Sequence, residues 1–210
     1  LLREGIDINR LYVTGNPIFE VINAYSKNIN KSSILKRLKI ASRKYFLATM
    51  HREENVDIKN RLSNILTAFD KIQKKYKMPL ICSLHPRTQN RMKSFNIALK
   101  NKDIRFLTPL GFLDFVALEK NAHCVLSDSG TVQEECSIFR VPNVTIRDVT
   151  ERMETLETGS NLIAGNKPDK ILDCVKIALL EITDWKIPEE YQTKNVSSTV
   201  VKLILSYYNF

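Results

Sequence analysis

Six short apolar runs alternate with helix-length amphipathic segments between residues 45 and 164, and this alternation constrains the fold more than any other feature of the chain. The runs are Tyr45 to Thr49, Leu80 to Leu84, Ile104 to Leu107, Cys124 to Ser127, Asn143 to Arg147 and Asn161 to Ala164. The clearest helical pattern lies between the first two, from Ile58 to Tyr76. There Ile58, Leu62, Ile65, Leu66, Phe69 and Ile72 recur at three- and four-residue steps and form one apolar stripe. Strand and helix in strict alternation predict parallel strands joined by right-handed crossovers, an α/β Rossmann-like sheet with helices on both faces. Ligands of such sheets bind outside the carboxyl ends of the strands. The polar clusters that follow the strands are therefore the place to look for chemistry.

Each strand end carries one. Met50-His51-Arg52-Glu53-Glu54-Asn55 follows the first strand, His85-Pro86-Arg87 the second, and Thr108-Pro109-Leu110-Gly111-Phe112 the third. Asp128-Ser129-Gly130 follows the fourth, and Arg147 with Glu151 and Arg152 stands at the fifth. The fourth is the most informative, because a strand ending in a Ser/Gly turn that opens a helix makes a phosphate site. Helix N-termini present unpaired N–H groups and the positive end of the dipole, and Gly130 admits an anion without a Cβ in the way. The same spacing equally suits a plain helix cap at Ser129 or Thr131, with Glu134 or Glu135 completing a capping box. Phe115, on the following helix of the third strand, has the spacing of a core residue and also the chemistry to stack on a base. Imidazole, guanidinium and a helix N-terminus on one sheet edge would together neutralise a diphosphate.

Composition narrows the function classes. At 210 residues and 43% hydrophobic content the chain can bury a full core. Its apolar runs are strand-sized, and no signal-peptide pattern opens it, so a soluble, cytoplasmic chain without a membrane partner is expected. Cys82, Cys124, Cys136 and Cys174 lack metal-ligand spacing, and three lie in apolar contexts, so neither disulfides nor zinc are expected. The net charge of +9 invites a nucleic-acid reading, but residues 31–77 hold 13 Lys/Arg against 4 Asp/Glu and account for all of it. Much of that cluster, Lys71, Lys74, Lys75 and Lys77, falls at a helix C-terminus, where cations suit the dipole and solvent. A solvated helix face explains it better than nucleic acid.

Two segments fall outside the sheet. Leu11-Tyr12-Val13 followed by Thr14-Gly15-Asn16-Pro17 reads as a strand, a turn and a helix start, separated from the rest by a basic, polar stretch to Ser33. After Pro188 a last helix, Val196 to Tyr208, carries Val196, Val200, Leu203, Ile204 and Tyr207 on one stripe that needs a surface to cover.

Read in order, several motifs carry a resemblance: TGNP at 14–17, MHREENVD at 50–57, LHPR at 84–87, PLGFLDFVAL at 109–118, SDSGTVQEE at 127–135 and RDVTERMETLETGSN at 147–161. The chain is similar to the non-hydrolysing UDP-N-acetylglucosamine 2-epimerases over nearly its whole length. That family has two Rossmann-like domains of the glycosyltransferase-B type with the active site between them, and this sequence resembles the C-terminal half. The resemblance implies that residues 1–33 are the end of an N-terminal domain plus linker, that 34–187 form a UDP-binding domain, and that the helix in 188–210 packs back on the N-terminal domain.

Position by position, the resemblance implies that Ser129, Gly130 and Thr131 hold the UDP phosphates and that Glu135 takes the ribose hydroxyls. Phe115 would border the uracil and Arg152 would reach the diphosphate. His51 matches the family's active-site histidine, Arg52 the adjacent substrate-binding arginine, and His85 a histidine near the second nucleotide-sugar site of bacterial members. One departure stands at Glu53, where many members have a second arginine; HREEN is closer to relatives that act on other N-acetylated UDP-hexosamines. The implied reaction interconverts UDP-GlcNAc and UDP-ManNAc with no redox cofactor, by eliminating UDP to a 2-acetamidoglucal and re-adding it with C2 inverted. The implied partners are UDP, a UDP-N-acetylhexosamine, an N-terminal domain or partner chain that completes the site, and in the full-length enzyme a second copy. A glycosyltransferase-B transferase or a non-catalytic UDP-sugar-binding module would share the same nucleotide half.

Overall fold

A computed structural model describes residues 1–180 and 184–207. In chain order its elements are α1 (Ile18–Asn30), α2 (Ile34–Leu38), β1 (Phe46–Met50), α3 (Glu53–Val56), α4 (Lys59–Tyr76), β2 (Leu80–Leu84), α5 (Pro86–Ser94) and β3 (Ile104–Leu107). They continue with α6 (Phe112–Lys120), β4 (Cys124–Ser127), α7 (Gly130–Phe139), β5 (Asn143–Thr145), α8 (Met153–Glu157), β6 (Asn161–Ile163), α9 (Pro168–Leu180) and α10 (Val196–Tyr207). The six strands pair in parallel in the order β3-β2-β1-β4-β5-β6. All six lie where the apolar runs place them, with β1 shifted by one residue and β5 and β6 shorter at their ends.

Strand parity builds two cores. Phe46, Ala48 and Met50 of β1 share a cluster with Leu62, Ile65, Leu66, Phe69 and Ile72 of α4 and Ile171 and Val175 of α9. Leu47 and the preceding Tyr45 turn to the other side, with Val116, Ala117 and Leu118 of α6, Val132 and Cys136 of α7, and Ile29 and Ile34 of α1 and α2. Successive side chains of a strand point to opposite faces, so a sheet covered on both sides needs unbroken apolar runs of this kind. Burial of each large apolar side chain contributes about 1.5–3 kcal/mol.

Three expectations change. Ile58 does not continue the buried stripe of α4; it is the half-exposed residue preceding the helix, and the stripe begins at Leu62. Leu11 to Val13 forms no strand: the segment is extended without a partner strand, and Val13 is 95% exposed. The polar stretch before Ser33 is largely the 13-residue α1, which buries Ile18, Ile22 and Ile29 and packs on α6 and α7. Three well-spaced isoleucines suffice for a helix whose other faces are polar. The final helix runs to Tyr207; the expected Tyr208 lies outside the described residues. No described helix is long and apolar enough to cross a membrane.

Candidate functional site

In the strand order, β1 and β4 are neighbours from which the chain winds outward in opposite directions, and that reversal leaves a crevice at their carboxyl ends. His51 and Arg52 leave β1 at this point, and Asp128, Ser129 and Gly130 leave β4 beside them. Ser129 occupies the N-cap of α7 with extended backbone and no side-chain cap hydrogen bond. Its own N–H is taken by Ser127 Oγ at 3.0 Å. The capping alternative for Ser129 is thus not what the structure adopts, and its hydroxyl stays available at the helix start. Arg152 leans over the same turn: its guanidinium lies 3.5 Å from where a Cβ on Gly130 would stand. Glu134, one turn into α7, forms an ion pair with Arg152 and sets its direction.

Asp128 organises the other wall. It is fully buried and accepts hydrogen bonds from the His51 and Arg52 backbone N–H groups at 3.1 and 3.0 Å and from Asn55 Nδ2 at 3.1 Å. Asn55 Nδ2 also donates to the Ile146 carbonyl at 2.9 Å, so the ends of β1, β4 and β5 are laced together. His51 Nδ1 lies 3.4 Å from Asp128 Oδ1. A proton on Nδ1 facing the carboxylate leaves Nε2 as the nitrogen for a ligand. The His85 ring centroid is 5.7 Å from that of His51. His85 caps α5 by accepting the Arg87 N–H at its Nδ1, 3.2 Å away, and Pro86 occupies the first helical position, where no N–H is needed.

Two cavities flank the start of α7. One, of about 220 Å³, is lined by Thr49, His51, His85, Leu110, Phe115, Ser129 and Val132. The other, of about 440 Å³, lies between Glu134, Arg152, Glu154 and Tyr191 on one side and Gly15, Asn16 and Pro17 on the other. The structure thus brings His51, His85, Phe115 and Ser129 around one space and places Arg152 on the second, with Gly130 buried beneath the Arg152 guanidinium. Phe115 packs on the second core cluster and also lines the cavity. Thr131 is exposed in the first turn of α7. Arg52 keeps its Nε buried without a partner among the described residues. Glu135 is buried, and burial first of all raises its carboxyl to about 7.

Some of the supporting residues are silent in the sequence. Gln133 donates to the Ser129 carbonyl at 3.3 Å and accepts from Thr150 at 2.7 Å and Asn161 at 3.1 Å, tying the serine turn to β6. Only packing reveals it, since a glutamine in a first helical turn is ordinarily solvated. Arg147, at the end of β5, is taken by Glu54 at 2.9 Å and Glu151 at 2.8 Å. The Arg147 guanidinium holds the Glu151 carboxyl down to about 2.

This sheet order defines the class: a Rossmann-like parallel α/β fold of the kind that makes up half of glycosyltransferase-B-type structures. Within that class the chain belongs to the UDP-N-acetylglucosamine 2-epimerase family, whose sequence model matches residues 1–205. It is 44% identical over 195 residues to a UDP-N-acetylglucosamine 2-epimerase of Methanocaldococcus jannaschii, a match covering 90% of this chain and 53% of the relative. Over 135 residues, 64% of this chain and 37% of the relative, it is 36% identical to the UDP-2,3-diacetamido-2,3-dideoxy-D-glucuronate 2-epimerase of Pseudomonas aeruginosa. A crystal structure of the Methanocaldococcus jannaschii UDP-GlcNAc 2-epimerase in complex with UDP-GlcNAc and UDP superposes with a TM-score of 0.90 at 39% identity, covering 98% of this chain and 57% of that one. The chain therefore spans about half the length of the relatives it matches.

Proposed function

We propose that this chain is the UDP-binding half of a UDP-N-acetylglucosamine 2-epimerase. The observation that carries the reading is the β1/β4 crevice, where an uncapped Ser129 at a helix N-terminus, the Arg152 guanidinium and the His51 imidazole share one sheet edge. Ser129, Gly130 and Thr131 receive the diphosphate at the start of α7, with Arg152 closing on it; Glu135 takes the ribose and Phe115 borders the uracil. When the C1–O bond of the sugar breaks, charge develops on UDP where these donors and the helix dipole are already aimed. His51, fixed through Asp128, hydrogen-bonds the substrate or moves a proton through Nε2, and Arg52 binds beside it. Proton removal at C2 and its return on the opposite face fall to carboxylates of the remaining half of the protein, which completes the cleft.

The sugar is a second question. Glu53 stands where many members have arginine, and that departure favours a related UDP-N-acetylhexosamine as an alternative substrate; in this chain Glu53 pairs with Arg87 at 2.7 Å. Following C2 inversion by NMR on UDP-GlcNAc and on a 2,3-diacetamido UDP-sugar, with this chain joined to the N-terminal half of a relative, tests both. Turnover of neither, with UDP bound, would leave a binding module and sink the epimerase reading.

A further inference from the structure

Glu119 is a carboxylic acid where an apolar residue would be expected. It sits near the end of α6 among Val116, Ala117 and Leu118 and is fully buried. One of its oxygens, Oε1, lies 3.5 Å from Cys136 Sγ, and the other, Oε2, meets no donor among the described residues; the carboxyl of Glu135, itself buried and next to Cys136 on α7, interacts with it. Two carboxyls in contact inside a protein cannot both be charged, so one of them carries a proton and donates it to the other. Burial acts hardest on Glu119, which raises its carboxyl well above the ordinary range, followed by the Glu135 charge. Other groups bearing on the pair are Glu134 and Cys136 on α7, neither of them a cation. The cations at the faces of α6 are engaged elsewhere, Arg37 with Asp114 and Lys120 with Asn30.

The pair stands directly behind the smaller cavity. Phe115 and Glu119 are one turn apart on α6, Val132 and Glu135 one turn apart on α7, and Phe115 and Val132 both line the cavity. We propose that Glu119 is a positioning residue, a neutral acid whose O–H fixes the Glu135 carboxylate in its charged form for the ribose hydroxyls of a uridine nucleotide. The inference rests on the assignment of Glu135 to the ribose. It adds the group that makes such an assignment physically workable, since a lone carboxylate at that depth would be driven to protonate.

Calorimetry of the chain with UDP and with 2′,3′-dideoxyuridine diphosphate, between about pH 6 and 8.5, tests this against the ordinary carboxyl range. Glu119→Leu should weaken UDP about tenfold and move the pH below which affinity falls upward, because Glu135 loses the bond that favours its charge. It should leave the dideoxy nucleotide unchanged, since that ligand has no ribose hydroxyls. Glu119→Gln, which keeps a donor of the same shape, should hold UDP within about twofold of the unaltered chain. Glu119→Leu binding UDP normally, losing both nucleotides equally, or being no weaker than Glu119→Gln overturns the proposal. If the unaltered chain binds both nucleotides alike, the ribose assignment beneath it fails first.

Discussion

Ser129 is the residue on which the diphosphate reading is most exposed to test. Ser129→Ala removes one charge-assisted hydrogen bond and should weaken UDP by about 1–3 kcal/mol in a calorimetric titration; unchanged affinity would move the phosphates elsewhere. Phe115→Ala separates base stacking from core packing. It should weaken UDP and uridine together while inorganic pyrophosphate binds as before, and a parallel loss for pyrophosphate would mean that the fold was disturbed. Both residues were legible in the sequence because they follow strands whose ends are set by the length of apolar runs. Asp128 was visible as part of the serine turn, but its grip on His51 and Arg52 spans 77 and 76 positions, a distance that no local spacing reports. Glu119 was invisible for the opposite reason, since a glutamate near a helix end is ordinarily solvated.

At the scale of elements, the sheet was written in the alternation of runs, while the segments flanking it were not. Leu11 to Val13 has β-forming residues and no strand beside it, so propensity alone misplaces it. It is fastened instead through a turn: the Asn16 N–H donates to the Glu190 carbonyl at 2.9 Å, and Gly15 adopts φ +89°. A Cβ on Gly15 would stand 2.6 Å from Thr193 Cβ, so Gly15→Ala meets both a left-handed backbone and a clash. Urea unfolding should show a loss of about 1–3 kcal/mol, and an unaltered midpoint would mean that this turn does not hold the segment. The α6–α7 contact sets a pH dependence. An acid whose pKa rises on folding keeps its proton in the folded chain where the unfolded chain has lost it, so stability falls as pH climbs through that window. For Glu135, moved from 4.5 to about 7, melting temperature should decline as pH rises from 4.5 to 7, and a flat profile would contradict the buried pair.

For the molecule as a whole, the surface and the comparisons point the same way. Leu1, Leu2, Ile8, Tyr12 and Val13 are exposed at one end of the chain, Val201, Ile204 and Leu205 on α10 at the other, and the two ends meet at Tyr12 and Tyr207. The relatives carry nearly as much sequence again. If that half brings the proton-transfer groups, UDP at a hundred times its Kd should stabilise this chain by about 2.7 kcal/mol by mass action. Interconversion of UDP-GlcNAc and UDP-ManNAc should need both halves, because holding reacting groups together lowers a barrier by about 7–11 kcal/mol in favourable cases. Robust turnover by the chain alone, freed of host epimerase, would shift the proton work to Glu53, Glu54 or Asp128. The Asp128 clasp also bears on how such a sheet edge changes over generations. One buried carboxylate satisfies amides of the histidine turn from the far side of the crevice, so a residue inserted in either turn would strand it. The two turns are therefore coupled in length, so that a change in one calls for a compensating change in the other.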